Sequence, residues 1–280
     1  MPESAQTAGA FHGIFEKLRQ LDIAEQVHPD LYEDTDANFW EDYCGDDVSD
    51  LTALRRAAGE PGLQVLDLAT GGGRIAFALA GSGAQVLGLE RSPAMLELAF
   101  KARSSKPDDL AQRVSFVQGD MSDFHLDRRF DRIVLGATSI CLLLQRQDRA
   151  GLFACARQHL APHGQFLFNV LEGEYLGEQR QADYVDVFSR SSPEGQDFAI
   201  VGQRLDPASG HFLFNVYRER IAWNGDTVRT LGASVKARID RAEVMAHLSE
   251  QGLHLVSEHR DGALTHYCVG LPPADSPGQH

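Results

Sequence analysis

From residue 64 to residue 171 apolar, strand-like runs alternate with stretches of helical spacing, and this alternation constrains the fold more than any other feature of the chain. The predicted order is strand 64–69, helix 73–81, strand 84–90, helix 92–103, strand 113–117, strand 131–137, helix 146–160 and strand 165–171. Runs such as Gln85-Val86-Leu87-Gly88-Leu89 and Arg132-Ile133-Val134-Leu135-Gly136 are almost wholly apolar, as strands are when both their faces are covered. Alternating order and two-sided burial together call for a parallel sheet with helices on both faces, a doubly wound α/β core. Sheets of this kind bind ligands beyond the carboxyl ends of their strands.

The flanking segments read differently. Phe11, Ile14, Phe15, Leu18 and Leu21 recur at helical spacing, which predicts an amphipathic helix over residues 9–25. Residues 30–50 are acidic and aromatic, carrying Tyr32, Trp40 and Tyr43, and no Lys or Arg lies between Arg19 and Arg55. Residues 1–60 are therefore expected to form an N-terminal helical lid. The Rossmann-like core takes residues 61–182 and resumes at 239–271. Between them, over 183–238, the hydrophobic period changes to two, as in Phe212, Phe214 and Val216, and the turns Asp206-Pro207-Ala208-Ser209-Gly210 and Trp223-Asn224-Gly225-Asp226 suit hairpins. An inserted antiparallel β-sheet is expected there. Asp240 and Gly252 bracket a helix as N-cap and C-terminal stop, strands follow near 253–259 and 264–271, and the tail 272–280 is expected to be disordered.

Charge and composition exclude several function classes. Forty acidic residues against 26 basic ones give a net charge of -14, so the surface repels phosphate backbones and nucleic acid is not an expected partner. A cationic or amine-bearing small molecule suits it better. Cys44, Cys141, Cys155 and Cys268 lack C-x-x-C spacing and the 11 histidines form no H-E-x-x-H pattern, so neither a disulfide framework nor a metal site is expected. No run of about 18 apolar residues is present and the N-terminus lacks the basic start of a secretion signal, which predicts a cytoplasmic protein without membrane association.

Chemistry concentrates in Val65-Leu66-Asp67-Leu68-Ala69-Thr70-Gly71-Gly72-Gly73-Arg74, where the chain must turn sharply from strand into helix and approach a ligand closely. Gly71, Gly73 and Ala76 satisfy G-x-G-x-x-A, and Glu90 follows at the distance of a ribose-binding acid, so a nicotinamide-dependent oxidoreductase with Arg91 reading a 2'-phosphate is one reading. Asp67 favours another. A carboxylate in the last residues of the strand is a poor neighbour for a pyrophosphate and a good one for the sulfonium and ammonium of S-adenosylmethionine.

The segment V-L-D-L-A-T-G-G-G-R resembles the first motif of the class I S-adenosylmethionine-dependent methyltransferases, with Ala69 standing where a glycine is usual. Val86 to Met95 resembles the second strand of that family, Val117-Gln118-Gly119-Asp120-Met121 its adenine-binding segment, and His159 to Gln165 the turn that opens its fifth strand. The resemblance implies a mostly parallel seven-stranded sheet and a cofactor site of Asp67, Ala69, Thr70, Gly71, Gly73, Glu90, Arg91, Asp120, Met121 and Ala137. Within the class, residues 118–131 resemble amino-sugar N,N-dimethyltransferases, and the run through Leu135-Gly136-Ala137-Thr138-Ser139 is similar to daptide-type peptide methyltransferases. Both imply transfer to the nitrogen of a small secondary-metabolite amine. The catalytic candidates are then Tyr175, Ser139 and Asn169, with Tyr32, Trp40, Tyr43, Thr138 and Glu172 toward the substrate. Methylation of oxygen or carbon and intramolecular cyclisation of the cofactor remain open on the same fold. The edges of the inserted sheet allow a homodimer.

Overall fold

The computed structural model describes residues 10–28, 31, 51–171, 184–193, 195–261 and 264–273. Tyr32, Trp40, Tyr43, Glu172, Tyr175 and the last seven residues of the tail lie outside the described residues. Two compact units emerge. The described residues from 51 to 171 with those from 239 to 273 make one; those from 10 to 31 with those from 184 to 238 make the other.

In the smaller unit, the helix Gly13–Gln20 precedes the short strand β1 (Gln26–His28). The helix is shorter than the expected 9–25 because Asp22, at φ 53°, turns the chain left-handed and ends it. In the larger unit, the helix Leu51–Ala58 leads to β2 (Gln64–Leu68), helix Arg74–Gly81, β3 (Gln85–Glu90) and helix Pro93–Ser104. A helical turn Asp108–Ala111, β4 (Val114–Gln118), β5 (Phe130–Leu135), helix Arg146–His159 and β6 (Leu160–Leu171) follow.

The smaller unit then adds β7 (Tyr184–Ser192), β8 (Gly195–Leu205), β9 (Phe212–Ala222) and β10 (Thr227–Lys236). Helix Arg241–Gln251, β11 (His254–Asp261) and β12 (Leu264–Gly270) complete the larger unit.

The seven strands of the larger unit lie in the order β11-β12-β6-β5-β2-β3-β4. Strands β6, β5, β2, β3 and β4 are parallel, and β12 runs antiparallel to β6 and β11 antiparallel to β12. This is the doubly wound, mostly parallel seven-stranded sheet that the sequence predicts. One face is covered by Leu51, Leu54, Ala58, Ile75 and Leu79, which pack with Val65, Val86 and Val134. On the other, Phe153 meets Phe166 and Phe168 edge-on, and Phe168 stacks on Tyr267 at 5.2 Å. Chain order reverses between β2 and β5: β3 and β4 build outward on one side, β5 and β6 on the other. At such a reversal, here at the carboxyl ends of β2 and β5, sheets of this class open a crevice for ligands.

Strand β6 begins earlier than the expected residue 165. Phe130 pairs with Leu160, yet the next pair is Arg132 with Gln165, so the turn Ala161–Gly164 is absorbed as extra residues in one strand. Gly164 is required there, since a Cβ would come 2.7 Å from the Phe130 carbonyl oxygen.

The five-stranded sheet of the smaller unit has the order β1-β10-β9-β8-β7. Its four long strands are antiparallel as expected, and β1 joins in parallel to β10 from the far end of the sequence. The apolar face of the helix Gly13–Gln20 accounts for this: fully buried Phe15, with Phe11 and Ala10, packs on Tyr217, Leu231 and Ala233. Burying a phenylalanine in this way contributes about 2–3 kcal/mol. Asn215, buried in the middle of β9, fixes the entry to that helix: its Oδ1 accepts from the His12 N–H at 3.0 Å and its Nδ2 donates to the Ala10 carbonyl at 2.8 Å. Residues expected to belong together in a 1–60 lid are thus divided, 10–31 with this sheet and 51–58 with the larger one.

Between the helices Arg146–His159 and Arg241–Gln251, His247 is buried and stacks on Phe153 at 5.2 Å. Arg149 binds Glu243 at 2.6 Å and Arg146 binds Glu250, and these four charges surround the ring. Burial, reinforced by Arg146, lowers the His247 pKa from its ordinary 6.5 against the opposing pull of Glu243 and Glu250. The unfolded chain therefore binds the proton first. Stability is expected to fall as pH drops below about 6.5, and His247→Phe to flatten that dependence in urea titrations at pH 7 and pH 5.5.

Candidate active site

At the end of β2 the chain must leave the sheet, reverse and enter the helix Arg74–Gly81 within five residues. Three of those residues are left-handed: Ala69 at φ 50°, Gly71 at 57° and Gly73 at 93°. For Gly71 and Gly73 this is the conformation that only glycine adopts without strain. Ala69 adopts it with a side chain, which explains why glycine is the usual residue at that place in the resembling motif. The turn is braced internally. The Thr70 hydroxyl donates to Asp67 Oδ2 at 2.6 Å, Thr70 N–H to the Leu89 carbonyl at 3.1 Å, and Gly73 N–H to the Thr70 carbonyl at 2.9 Å.

Asp67 is fully buried and Glu90 is 8% exposed. Register places them at the ends of adjacent strands, since Leu68 pairs with Leu89. Glu90 Oε2 accepts from Gly71 N–H at 2.9 Å and Oε1 from Ser92 N–H at 2.9 Å. Ser92 in turn caps the helix Pro93–Ser104 by accepting from Met95 N–H at 3.3 Å. One carboxylate therefore ties the glycine turn to the start of the next helix. Arg91 beside it is exposed.

Beyond β4, Asp120 Oδ1 accepts from both the N–H and the hydroxyl of Ser122, at 2.8 and 2.6 Å, which fixes the turn that carries half-buried Met121. Gly151, inside the helix Arg146–His159, lets that turn come close, because a Cβ there would stand 2.4 Å from the Ser122 carbonyl oxygen. Sequence reading passed over Gly151 and Ser92. A glycine within a helical pattern and a serine one residue before Pro93 are the signals that mark them.

Beyond β5, Ala137 and Thr138 are both left-handed, at φ 53° and 55°, and Ser139 opens a buried 3₁₀ turn Ser139–Leu142. The Thr138 hydroxyl donates to the Ala137 carbonyl at 2.6 Å, and its backbone N–H donates to Asn169 Oδ1 at 2.7 Å. The structure thus brings Asp67, Ala69–Gly73, Glu90, Asp120, Met121, Ala137, Thr138, Ser139 and Asn169 to the carboxyl ends of five adjacent parallel strands. No cluster of metal-ligating side chains occurs among the described residues, and none of their helices is long and apolar enough to cross a membrane.

The donor set suits one ligand chemistry. A buried carboxylate at the end of β2 suits a cationic group, and a second at the end of β3 suits a diol. The Gly71 N–H, which a pyrophosphate would need, is already engaged by Glu90.

Comparison with known proteins agrees. Residues 65–164 match the family model described as a methyltransferase domain. The chain is similar to the cypemycin N-terminal methyltransferase of a Streptomyces species, with 32% identity over 156 residues that cover 56% of this chain and 60% of that protein. It is also similar to the dTDP-3-amino-3,4,6-trideoxy-alpha-D-glucopyranose N,N-dimethyltransferase of Streptomyces venezuelae, with 30% identity over 140 residues, 50% of this chain and 55% of that one. The chain spans little more than half the length of these two relatives. Among solved structures, Streptomyces venezuelae DesVI shares the fold with a TM-score of 0.65 at 19% identity, covering 81% of this chain and 92% of that one. Strand order, the braced glycine turn and the matched residues agree, and residues 65–164 carry a methyltransferase domain.

Proposed function

We propose that this protein transfers a methyl group from S-adenosylmethionine to the nitrogen of a small secondary-metabolite amine. The observation that carries the reading is the pair of buried carboxylates, Asp67 and Glu90, around a glycine turn whose Gly71 N–H is spent on Glu90. In this reading Asp67 faces the methionine ammonium, Glu90 the ribose hydroxyls and Asp120 the adenine amine, with Ala69, Thr70, Gly73, Arg91, Met121 and Ala137 lining the rest. The choice of nitrogen rests on the relatives, one named for a peptide N-terminus and one for an amino sugar.

When bound, the cofactor would supply a methyl on a sulfonium: transfer would form a carbon–nitrogen bond, break a carbon–sulfur bond, leave a neutral thioether and move the positive charge to the nitrogen, which would release a proton to water. A neutral amine needs little covalent help, and most of the acceleration comes from alignment in a site closed to water. Thr138 and Ser139, both 9% exposed, stand at the end of β5 to orient the acceptor. Sequence alone assigns Tyr32, Trp40, Tyr43 and Glu172 to the acceptor and Tyr175 to catalysis. Self-association belongs to the same reading: β7 ends its sheet among the described residues, with Val185 and Val187 59% and 55% exposed.

Incubation with S-adenosylmethionine, an amino sugar and a peptide with a free N-terminus, followed by mass spectrometry, tests this. One S-adenosylhomocysteine for each methyl group gained by the amine is expected. A methyl group on oxygen or carbon, or thioether release without a methylated acceptor, would overturn the nitrogen assignment.

A further inference from the structure

The left-handed pair Ala137–Thr138 is not explained by its own residue types. Neither residue is glycine, asparagine or aspartate, and two L-residues in succession with side chains at positive φ persist only where their surroundings hold them. The last pair between β5 and β6 is Leu135 with Phe168. Where the next backbone pairing would fall, the side chain of Asn169 takes over, and its Oδ1 receives the Thr138 N–H at 2.7 Å. Asn169 is 3% exposed and Thr138 9%, so this bond is shielded from water. Ala137, between buried Gly136 and Thr138, is exposed.

The other lip of the crevice has the same character. Asp67 pairs with Val134, so continued register sets Ala69 beside Gly136, and Ala69 too is a left-handed alanine at φ 50°. Strained residues gathered at the two sides of one opening are characteristic of a ligand clamp.

We propose that Asn169 is a positioning residue: its bond to Thr138 holds Ala137–Thr138 left-handed, so that Ala137 forms the wall of the cofactor crevice opposite Ala69–Gly73. This rests on the reading that the crevice takes S-adenosylmethionine. It gives Asn169 a different part from the catalytic one the sequence suggested, with the effect on the ligand passing through the turn.

The probe is S-adenosylhomocysteine, titrated calorimetrically, together with hydrogen exchange at the Thr138 amide. Asn169→Ala is expected to weaken binding about tenfold, the cost of one shielded hydrogen bond, and to speed exchange at Thr138. Asn169→Asp, which keeps an acceptor oxygen, is expected to stay within roughly threefold of the unmodified protein. Thr138→Gly removes the strain that Asn169 restrains, so Asn169→Ala added to Thr138→Gly is expected to lose little more. Tight binding by Asn169→Ala would overturn the proposal. So would an equal loss with and without Thr138→Gly, or failure of the double variant to fold. Absence of binding by the unmodified protein would instead overturn the cofactor reading, while exchange at Thr138 still reports on the bond.

Discussion

Glu90→Ala is expected to weaken S-adenosylhomocysteine binding by about two orders of magnitude or more while leaving the sheet folded. The carboxylate does more than face a ligand. It accepts from Gly71 N–H and Ser92 N–H, both at 2.9 Å, and so joins the glycine turn to the helix that begins at Pro93. Truncation strips two donors of their acceptor in a place where Glu90 itself is 8% exposed. Each orphaned donor costs about 1–3 kcal/mol, and about 1.4 kcal/mol is tenfold in affinity. Loss of contact with the ligand adds to this. Glu90→Gln keeps one acceptor oxygen and exchanges the other for a donor, so an intermediate loss is expected. Titration of both variants checks the order, and binding by Glu90→Ala within threefold of the unmodified protein would show that the turn does not depend on this carboxylate.

Gly73→Ala is expected to lower stability by about 2–4 kcal/mol, the sum of a left-handed alanine and an overpacked contact. Gly73 lies at φ +93°, and a Cβ would stand 2.7 Å from Phe77 Cε2 and 3.0 Å from Phe116 Cζ. Those two rings meet edge-on at 5.8 Å, and Phe116 also meets Phe100, so neither can withdraw freely. Gly62 provides the internal comparison. It is also left-handed, at φ +84°, but a Cβ there meets nothing within 4 Å. Urea unfolding of both variants should show Gly62→Ala paying for backbone strain alone and Gly73→Ala losing clearly more. Equal losses would mean that the glycine turn is set by backbone conformation without the close approach of the aromatic cluster.

The parts of the fold that sequence made legible are those where local chemistry and tertiary position coincide. The strands β2, β3 and β5 are apolar because both faces are buried. Asp240 and Gly252 read as helix ends because they act as such: Asp240 Oδ1 accepts from Glu243 N–H at 2.8 Å, and Gly252 sits at φ 61°. The glycine turn was legible for the same reason.

Other features depend on distant partners and leave no local signature. Nothing in Gln26–His28 announces a parallel pairing with β10, some 200 residues away. Asn215 reads as one polar residue in an alternating strand, yet it anchors the chain at Ala10 and His12. Ala137 and Thr138 carry no preference for positive φ, and only the arrival of Asn169 from β6 accounts for their conformation. Asn169 reads from sequence as a polar residue at the end of a strand, but its Oδ1 is engaged by a backbone N–H 31 residues away, and such a partner leaves no local mark.

In the proposed reading the crevice between β2 and β5 receives S-adenosylmethionine. Calorimetric titration of the unmodified protein with S-adenosylhomocysteine and, separately, with NADPH tests it most directly. Saturable one-to-one binding of S-adenosylhomocysteine, with no heat from NADPH, is the expected result. Binding of NADPH with none of S-adenosylhomocysteine would contradict the account, since a pyrophosphate would then have displaced Glu90 from the glycine turn.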